Sequence, residues 1–298
     1  MIRGDENEVH HVTLVDGSAV YVRVSLPGTA SSLVRHEAWA MGRARDAGVP
    51  VPDVLDIRSI ETGDDVRTAM VIRAANGRQL GQLLPELTPA QRSTAMGEVG
   101  RALGILNAIP TSGAWEPEGE GRWADPDAHR ERYLANVLAD TQHLPAAGLS
   151  ASEVDRVVEV LESFPVEPAL ALCHGDVSPE HLFVDAELRV VGLIDFGQWY
   201  AGSAASELSG VGMLMAEPDF EAIVAGHPQG DVARAEIGWH TITQATGQIR
   251  WLVTSGQLQE VSRPVAALRA ALAYSRSSPA TPRANSGTRL AGRDGWPR

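Results

Sequence analysis

The 298-residue sequence has one cysteine, few basic residues and no long apolar run. The single cysteine, Cys173, excludes an intrachain disulfide, and its apolar neighbours at 169–172 favour a small buried side chain over a nucleophile. The 25 basic residues against 38 acidic ones give a net charge of −13. This balance argues against nucleic-acid binding, because such binding needs a basic surface.

Segments that would direct the chain to or across a membrane are also missing from the sequence. No apolar run approaches the roughly 18 residues of a membrane span, and MIRGDENEVHH at the N-terminus lacks the apolar core of a secretory signal. We therefore expect a cytoplasmic protein without a membrane partner. The negative charge would attract a cationic small molecule by electrostatic steering, although it equally suits a protein that only needs to stay soluble.

The N-terminal part shows the alternation of β-strands. In VTLVDGSAVYVRV (12–24), apolar residues alternate on either side of Asp16-Gly17, which predicts a hairpin with a type I′ turn. Further strands are predicted at 53–58 and 65–77.

A helix is predicted between the hairpin and these strands. Ser31 or Ser32 can cap its start, and Gly48 lies just past its end. Glu37 lies close to the inward side of its apolar stripe.

After residue 85 the pattern becomes helical. Thr88 and Gln91 form a capping box with proline between them at the first helical position. Further helices are predicted at 126–140, 151–163, 217–225, 231–255 and 258–273. Two short apolar strands, 181–185 and 189–196, interrupt this helical part.

This order of elements predicts an α+β, bilobal protein-kinase-like fold. The small β-rich lobe would span 1–75 and the larger helical lobe 76–274. The tail 275–298 is rich in Ser, Pro, Gly and Arg and has little to bury, which is typical of disorder.

The chemistry-bearing segment is HGDVSPEHLFVD (174–185), followed by Asp195-Phe196-Gly197 after an apolar strand. Kinase catalytic loops space the catalytic base and a metal ligand as D-x-x-x-x-N, and a second ligand comes from D-F-G. Asp176 and His181 have the first spacing, with histidine in the place of asparagine. The combination is far more specific than D-F-G alone.

On these residues the sequence resembles the aminoglycoside phosphotransferase family over roughly residues 4 to 275. GVPVPDVL (48–55) and GSAASELS (202–209) are similar to flanking segments of the family. The resemblance implies that Asp176 is the base that deprotonates an acceptor hydroxyl. It implies that Asp195 and His181 hold Mg²⁺, and that His174 supports the loop rather than taking part in the chemistry.

His181 departs from the pattern of most of the family, which has asparagine at this place. Imidazole is a softer ligand than the amide oxygen that suits Mg²⁺. Some aminoglycoside kinases look similar in having histidine here, so a ligand role and a structural role both remain open.

The resemblance also implies a cation on the donor phosphates, held by a glutamate of the next helix. Arg23 stands where the family has a strand lysine, and Glu37 is its natural partner. The alternative is that the two are unconnected surface charges.

The nucleotide loop is weakly marked. Gly4 and Asn7 resemble the family's short Gly-x-x-Asn loop, but only three residues precede Gly4, so the strand that leads into the loop would be missing. An acidic tail is the alternative. By position, the backbone near Ile72 would bind the base of ATP or GTP.

The acceptor would bind in the helical lobe. Glu207 aligns with the aspartate of the family's Asp-Leu-Ala segment, and Asp219, Glu221 and Trp239 are further candidates, together with His240. Carboxylates suit a polyamine because each buried ammonium group needs one.

These features predict a small-molecule kinase of the antibiotic-resistance type. With Mg²⁺, it would transfer the γ-phosphate of ATP or GTP to a hydroxyl of an aminoglycoside-like or other small cationic acceptor. The alternative is a catalytically weak or inactive kinase-like protein that binds nucleotide or a small molecule, supported by His181, Arg23 and the short N-terminus. A metal-dependent hydrolase is less favoured, because it needs more His or Asp ligands in recognisable spacing.

Overall fold

The structure, a computed structural model, describes residues 2–3, 7–63, 65–117, 123–163 and 170–275. Gly4 and almost all of the predicted disordered tail lie outside these residues. Within them, a small antiparallel sheet precedes a larger helical part, as the α+β expectation requires. None of the described helices is both long and apolar enough to cross a membrane.

The N-terminal sheet has five antiparallel strands in the order β1-β2-β3-β5-β4. The strands are β1 (Ile2–Arg3), β2 (Asn7–Thr13), β3 (Ala19–Ser25), β4 (Val54–Thr62) and β5 (Asp65–Arg73). Strand β1 pairs with β2, so the expectation that no strand leads into the loop at Gly4 is wrong.

The β2–β3 hairpin is confirmed, but its turn differs from the prediction. Thr13 pairs with Ala19, so five residues connect the strands. A type I′ turn needs positive φ at both central residues, whereas Asp16 is not among the described non-glycine residues with positive φ. Its carboxylate instead accepts hydrogen bonds from the Ser18 amide (2.9 Å) and hydroxyl (2.6 Å). These side-chain bonds stabilise a longer loop.

The first helix, α1 (Ser31–Asp46), packs its apolar face on the sheet. Ala30 is its N-cap and no side chain caps it, so the prediction that Ser31 or Ser32 caps the helix is wrong. Gly48 follows the helix with a φ of 92°, as its predicted position requires. Glu37 is buried on the inward face.

The helical part begins after β5 and confirms each helix predicted beyond residue 85. Thr88 and Gln91 form the predicted capping box at the start of α3. The helices are α2 (Leu80–Leu83), α3 (Pro89–Leu106), α4 (Pro126–Asp140), α5 (Ala151–Glu162), α6 (Ala204–Leu214), α7 (Glu217–Gly226), α8 (Gly230–Thr254) and α9 (Ser262–Ser275).

Two small sheets lie among these helices. The predicted strands at 181–185 and 189–196 pair as a hairpin, and the remaining strands are two to four residues long and have no sequence signal. The strands are β6 (Arg78–Gln79), β7 (Ala114–Pro117), β8 (Trp123–Ala124), β9 (Ala171–Cys173), β10 (Leu182–Val184), β11 (Val190–Leu193) and β12 (Tyr200–Gly202).

One apolar core runs through both parts of the molecule. It joins Met41 of α1 and Ile72 of β5 to Leu103 of α3 and to Phe196, which follows Asp195. A second core lies between α5, α8 and α9. Because the main core crosses residues 75 and 76, the lobe boundary predicted there stays a prediction.

Helices α3 and α7 approach each other through glycines. A Cβ on Gly100 would lie 2.0 Å from the carbonyl oxygen of Ile223, and one on Gly226 would lie 2.1 Å from that of Gly97. Backbone atoms cannot give way cheaply, so only glycine fits at both places.

Replacement of Gly100 by alanine should lower the free energy of unfolding by about 1–3 kcal/mol, because the added methyl group forces the helices apart. Gly247→Ala in α8 is the matched control, since a Cβ there has no neighbour within 4 Å. It should raise stability by up to about 1 kcal/mol through helix propensity. Urea denaturation of both variants measures the difference, and equal stabilities would contradict the proposed packing.

Candidate active site

The loop between β9 and β10 is held from inside by His174. The buried ring accepts a hydrogen bond from the Asp176 amide at Nδ1 (3.2 Å), and Nε2–H donates to the carbonyl oxygen of Ile194 (2.9 Å). Burial lowers the pKa of the His174 imidazole to about 4. The neutral ring therefore ties the loop to the residue before Asp195, which is a supporting position.

Glu207 of α6 holds the same loop from below. Its carboxylate accepts hydrogen bonds from the amides of His174 (2.5 Å) and Gly175 (3.2 Å). Burial raises the pKa of the Glu207 carboxyl, and these two hydrogen bonds oppose that rise. Gly175 has a φ of 82°, and a Cβ there would lie 2.0 Å from the carbonyl oxygen of Gln198, so the loop requires glycine at this point.

Asp176, His181 and Asp195 meet at the open side of the loop. His181 Nδ1 donates to the carbonyl oxygen of Asp176 (2.7 Å), because a carbonyl can only accept. In the neutral ring, Nε2 then carries the lone pair, and it lies 3.6 Å from Asp195 Oδ2. Asp176 Oδ2 lies 3.6 Å from Nδ1 of the same ring. Both carboxylates are partly exposed, at 42% and 44%.

The backbone of Asp195 is itself unusual. Its φ of 66° and ψ of 64° place it in the left-handed region, which costs free energy for a residue with a side chain. The burial of Phe196 in the main core stabilises this conformation. The result is a carboxylate that points towards β3 and His181.

Arg23 of β3 connects the N-terminal sheet to this cluster. Its guanidinium forms an ion pair with Glu37 of α1 through one nitrogen and contacts Asp195 Oδ1 at 3.3 Å through the other. The Arg23 and Glu37 side chains are only 11% and 9% exposed. The two residues are therefore partners and not unconnected surface charges.

A cavity of about 330 Å³ lies beside the loop between β9 and β10. Gly175 and Val177, which flank Asp176, form part of its wall. Most of the rest comes from α4, α6, α8 and the segment around β12. A small molecule bound there would lie against the residues on both sides of Asp176.

Of the acceptor candidates, the structure brings Glu207, Trp239 and His240 to this cavity. Asp219 and Glu221 of α7 do not line it. Asp219 forms a two-pronged ion pair with Arg92 of α3 (2.5 and 2.6 Å), and Glu221 pairs with Arg234. Both carboxylates thus form ion pairs between helices, and the expectation that they contact the acceptor stays a prediction.

The structure gives less direct information on the residues that were expected to bind the nucleotide. Asn7 begins β2 opposite Ser25, at the edge of the undescribed residues that contain Gly4. Ile72 lies in the middle of the sheet, in register with Tyr21 on one side and Val54 on the other. Strands therefore flank Ile72 on both sides, and the expectation that its backbone binds the base stays a prediction.

Comparison with known families shows to which family the chain belongs. A model described as the phosphotransferase enzyme family matches residues 3–242. The chain belongs to the phosphotransferase enzyme family. The resemblance inferred from HGDVSPEH and the D-F-G segment is confirmed.

Relatives of this phosphotransferase agree in sequence and in fold. An aminoglycoside 3′-phosphotransferase of Streptomyces ribosidificus is 28% identical over 200 residues, or 65% of this chain and 70% of that protein. A thermostable variant of aminoglycoside phosphotransferase APH(4)-Ia, in ternary complex with AMP-PNP and hygromycin B, has a TM-score of 0.68 at 15% identity and covers 93% of this chain and 94% of its own. Aminoglycoside 2′-phosphotransferase-IIIa in its GDP complex has a TM-score of 0.60 at 16% identity, over 92% and 91% of the two chains.

Several residues that line the cavity had no sequence signal. His129, Arg130 and Tyr133 of α4 and Gln244 of α8 line the cavity, yet they stand more than 30 residues from the motif.

Three tryptophans, at 39, 123 and 199, also pack together with ring centroids 5.1–5.9 Å apart. Only folding brings these residues together, so periodicity and motif spacing could not reveal them.

The neutral state of His174 should make the stability of the protein sensitive to acid. The folded protein disfavours the protonated ring, so the contribution of His174 is complete above its ordinary pKa of 6.5 and is lost as the pH falls towards 4. Between pH 7 and pH 5 this loss is about 2 kcal/mol. His174→Asn, which keeps an acceptor for the Asp176 amide, should remove that part of the pH dependence in urea denaturation. Parallel pH profiles for variant and wild type would contradict the assignment.

Proposed function

We propose that this chain is a kinase that transfers the γ-phosphoryl group of a purine nucleotide to a hydroxyl of a small molecule. The observation that carries the proposal is the convergence of Asp176, His181 and Asp195, with Arg23 reaching Asp195, at a loop whose residues Gly175 and Val177 also line the cavity. Family membership supports the reaction type, and the names of the relatives support a nucleotide donor and an aminoglycoside-like acceptor as the first class to test.

In the proposed reaction the acceptor binds in the cavity beside Gly175 and Val177. Its hydroxyl donates a hydrogen bond to the Asp176 carboxylate. A bond forms between the acceptor oxygen and the γ-phosphorus, and the bond from that phosphorus to the β–γ bridging oxygen breaks. The hydroxyl proton passes to Asp176 and then to solvent, and the nucleoside diphosphate leaves. Asp176 orients the hydroxyl in the ground state and accepts its proton in the transition state.

Asp195 and His181 are the residues that would hold Mg²⁺. The observed geometry fits this role, because a histidine that ligates metal usually donates its other ring N–H to a carbonyl, as His181 does to Asp176. The described residues contain no cluster of three or more ligating side chains. Mg²⁺ keeps several waters and shares the phosphates of its nucleotide, so two protein ligands suffice. When bound, the ion would neutralise charge that develops on the phosphates.

Arg23 would bind the donor phosphates while Glu37 fixes its orientation. The ion pair is largely buried, which limits the motion of the guanidinium and keeps its second nitrogen directed at Asp195. Arginine binds phosphate through two parallel N–H groups, whereas lysine acts as a point charge. The substitution of arginine at this place therefore retains the chemistry that phosphoryl transfer needs.

An assay of nucleotide consumption with ATP and GTP in parallel decides which of them is the phosphate donor. The names of the two solved relatives include AMP-PNP for one and GDP for the other, so both donors belong in it. The alternative of an inactive kinase-like binding protein predicts nucleotide binding without turnover. The presence of both Asp176 and Asp195 in productive proximity to His181 favours the active enzyme.

Asp176→Asn should keep the fold and lower turnover by about 10²–10⁴-fold, the usual effect of losing a general base. The assay is nucleotide consumption by the purified protein with Mg-ATP and Mg-GTP in parallel, against an acceptor panel that includes aminoglycosides and uncharged alcohols. Asp46→Asn, an exposed residue at the end of α1, is the control and should retain full turnover. Full activity of Asp176→Asn would refute its role.

Asp195→Ala should remove the dependence of nucleotide binding on Mg²⁺. Calorimetry of AMP-PNP binding with and without Mg²⁺ measures this directly. The Mg²⁺-dependent gain in affinity should fall by more than the roughly 10–100-fold that loss of a supporting residue costs at metal sites. Glu187→Ala, on the exposed turn of the same hairpin, should leave the gain unchanged. An unchanged gain in Asp195→Ala would argue against metal binding there.

A further inference from the structure

The charge of the cavity beside Asp176 does not match a polycation. Among the lining residues that the structure describes, Glu207 is the one carboxylate and Arg130 the one arginine or lysine. Glu207 is only 2% exposed, and both of its oxygens accept backbone hydrogen bonds from the catalytic loop. An ammonium group would have to compete with the loop for this carboxylate.

Other polar groups at the back of the cavity bond to each other. The Tyr200 hydroxyl donates to Ser206 Oγ (3.1 Å), which in turn donates to the carbonyl oxygen of Ser203 (2.8 Å). The amide of Gln244 donates to the carbonyl oxygen of Ser206 (3.0 Å). This network rigidifies the wall and leaves few strong acceptors directed at a ligand.

Apolar and aromatic groups supply most of the remaining wall. Val177 comes from the catalytic loop, Val211 from α6, Tyr133 from α4 and Trp239 from α8. Apolar surface of this kind gains free energy by burying apolar parts of a ligand. Val177 and Val211 give nothing to a hydrated ammonium group, which loses its water on entry, and a cation–π contact with Tyr133 or Trp239 would offset only part of that loss.

We infer that the acceptor of this enzyme is an uncharged, largely apolar alcohol and not a polycationic amino sugar. The inference rests on the proposed function, because it concerns the acceptor side of the same active site. An alcohol needs only one hydroxyl near Asp176 and apolar surface for the rest. An amino sugar would bring several ammonium groups to a described lining that offers one buried carboxylate, and that carboxylate already accepts two backbone hydrogen bonds.

Calorimetric titration of the full chain, saturated with Mg-AMP-PNP, tests the inference with probes of opposite charge. Chloramphenicol, an uncharged aromatic diol, is compared with kanamycin, which carries several ammonium groups. Indole-3-ethanol and tryptamine form a second pair that differs only in a terminal hydroxyl or ammonium group. In each pair the uncharged compound should bind at least about tenfold more tightly, since one favourable contact is worth about that factor.

A negative charge can also be added to the cavity wall by substitution. A Cβ on Gly210 of α6 would lie 3.6 Å from Gln244 Oε1, an ordinary contact, so a longer side chain can start there. Gly210→Glu adds a carboxylate to the wall, and Gly210→Gln is its matched uncharged control. Kanamycin should bind about tenfold more tightly to Gly210→Glu than to Gly210→Gln, as expected for one charge-assisted hydrogen bond.

Each result decides between the inference and the proposed function. Tighter binding of kanamycin than of chloramphenicol by the wild type would overturn the inference. Binding of neither class while AMP-PNP binds would overturn it as well. Failure to bind AMP-PNP at all would instead contradict the proposed function.

Discussion

The geometry of the site depends on one buried carboxylate, that of Glu207. The amides of His174 and Gly175 point into the protein, and each would cost about 1–3 kcal/mol if it lacked an acceptor there. Glu207 supplies both acceptors from α6, and His174 continues the connection to Ile194. Asp176 and Asp195 come from segments on either side of the β10–β11 hairpin. Their relative position is therefore set by a short chain of buried hydrogen bonds and not by the loop alone.

The second constraint joins the lobes. A guanidinium is a planar fork, so Arg23 can contact Glu37 with one nitrogen and Asp195 with the other. Burying a lone charge at this interface would be costly, and two carboxylates offset that cost. The departure from lysine thus has a structural consequence, because one side chain links the N-terminal helix, the sheet and the proposed metal ligand.

The net charge of the whole sequence and the charge of the cavity wall are different properties. A net charge of −13 describes the whole sequence, and it suggested a cationic acceptor. The wall beside Asp176 is assembled from α4, α6, α8 and the loop, and most of its described side chains are apolar, aromatic or already hydrogen-bonded. Asp219 and Glu221, the acids expected there, stabilise helix contacts instead. The net charge of the whole sequence therefore does not describe this wall, whose described lining contains one carboxylate and one guanidinium.

The sequence by itself determined the α+β order of elements, the capping box at Thr88, the hairpin at 12–24 and the loop from Asp176 to His181, because each depends on neighbours within a few residues. It also indicated the Arg23–Glu37 pair, since a carboxylate on an inward helix face needs a partner. Only the tertiary structure decided the glycine contacts of α3 and α7, the two short sheets and the cavity wall. Those features arise where two backbone segments come close together and where side chains far apart in the chain meet. The pattern of neighbouring residues predicts neither.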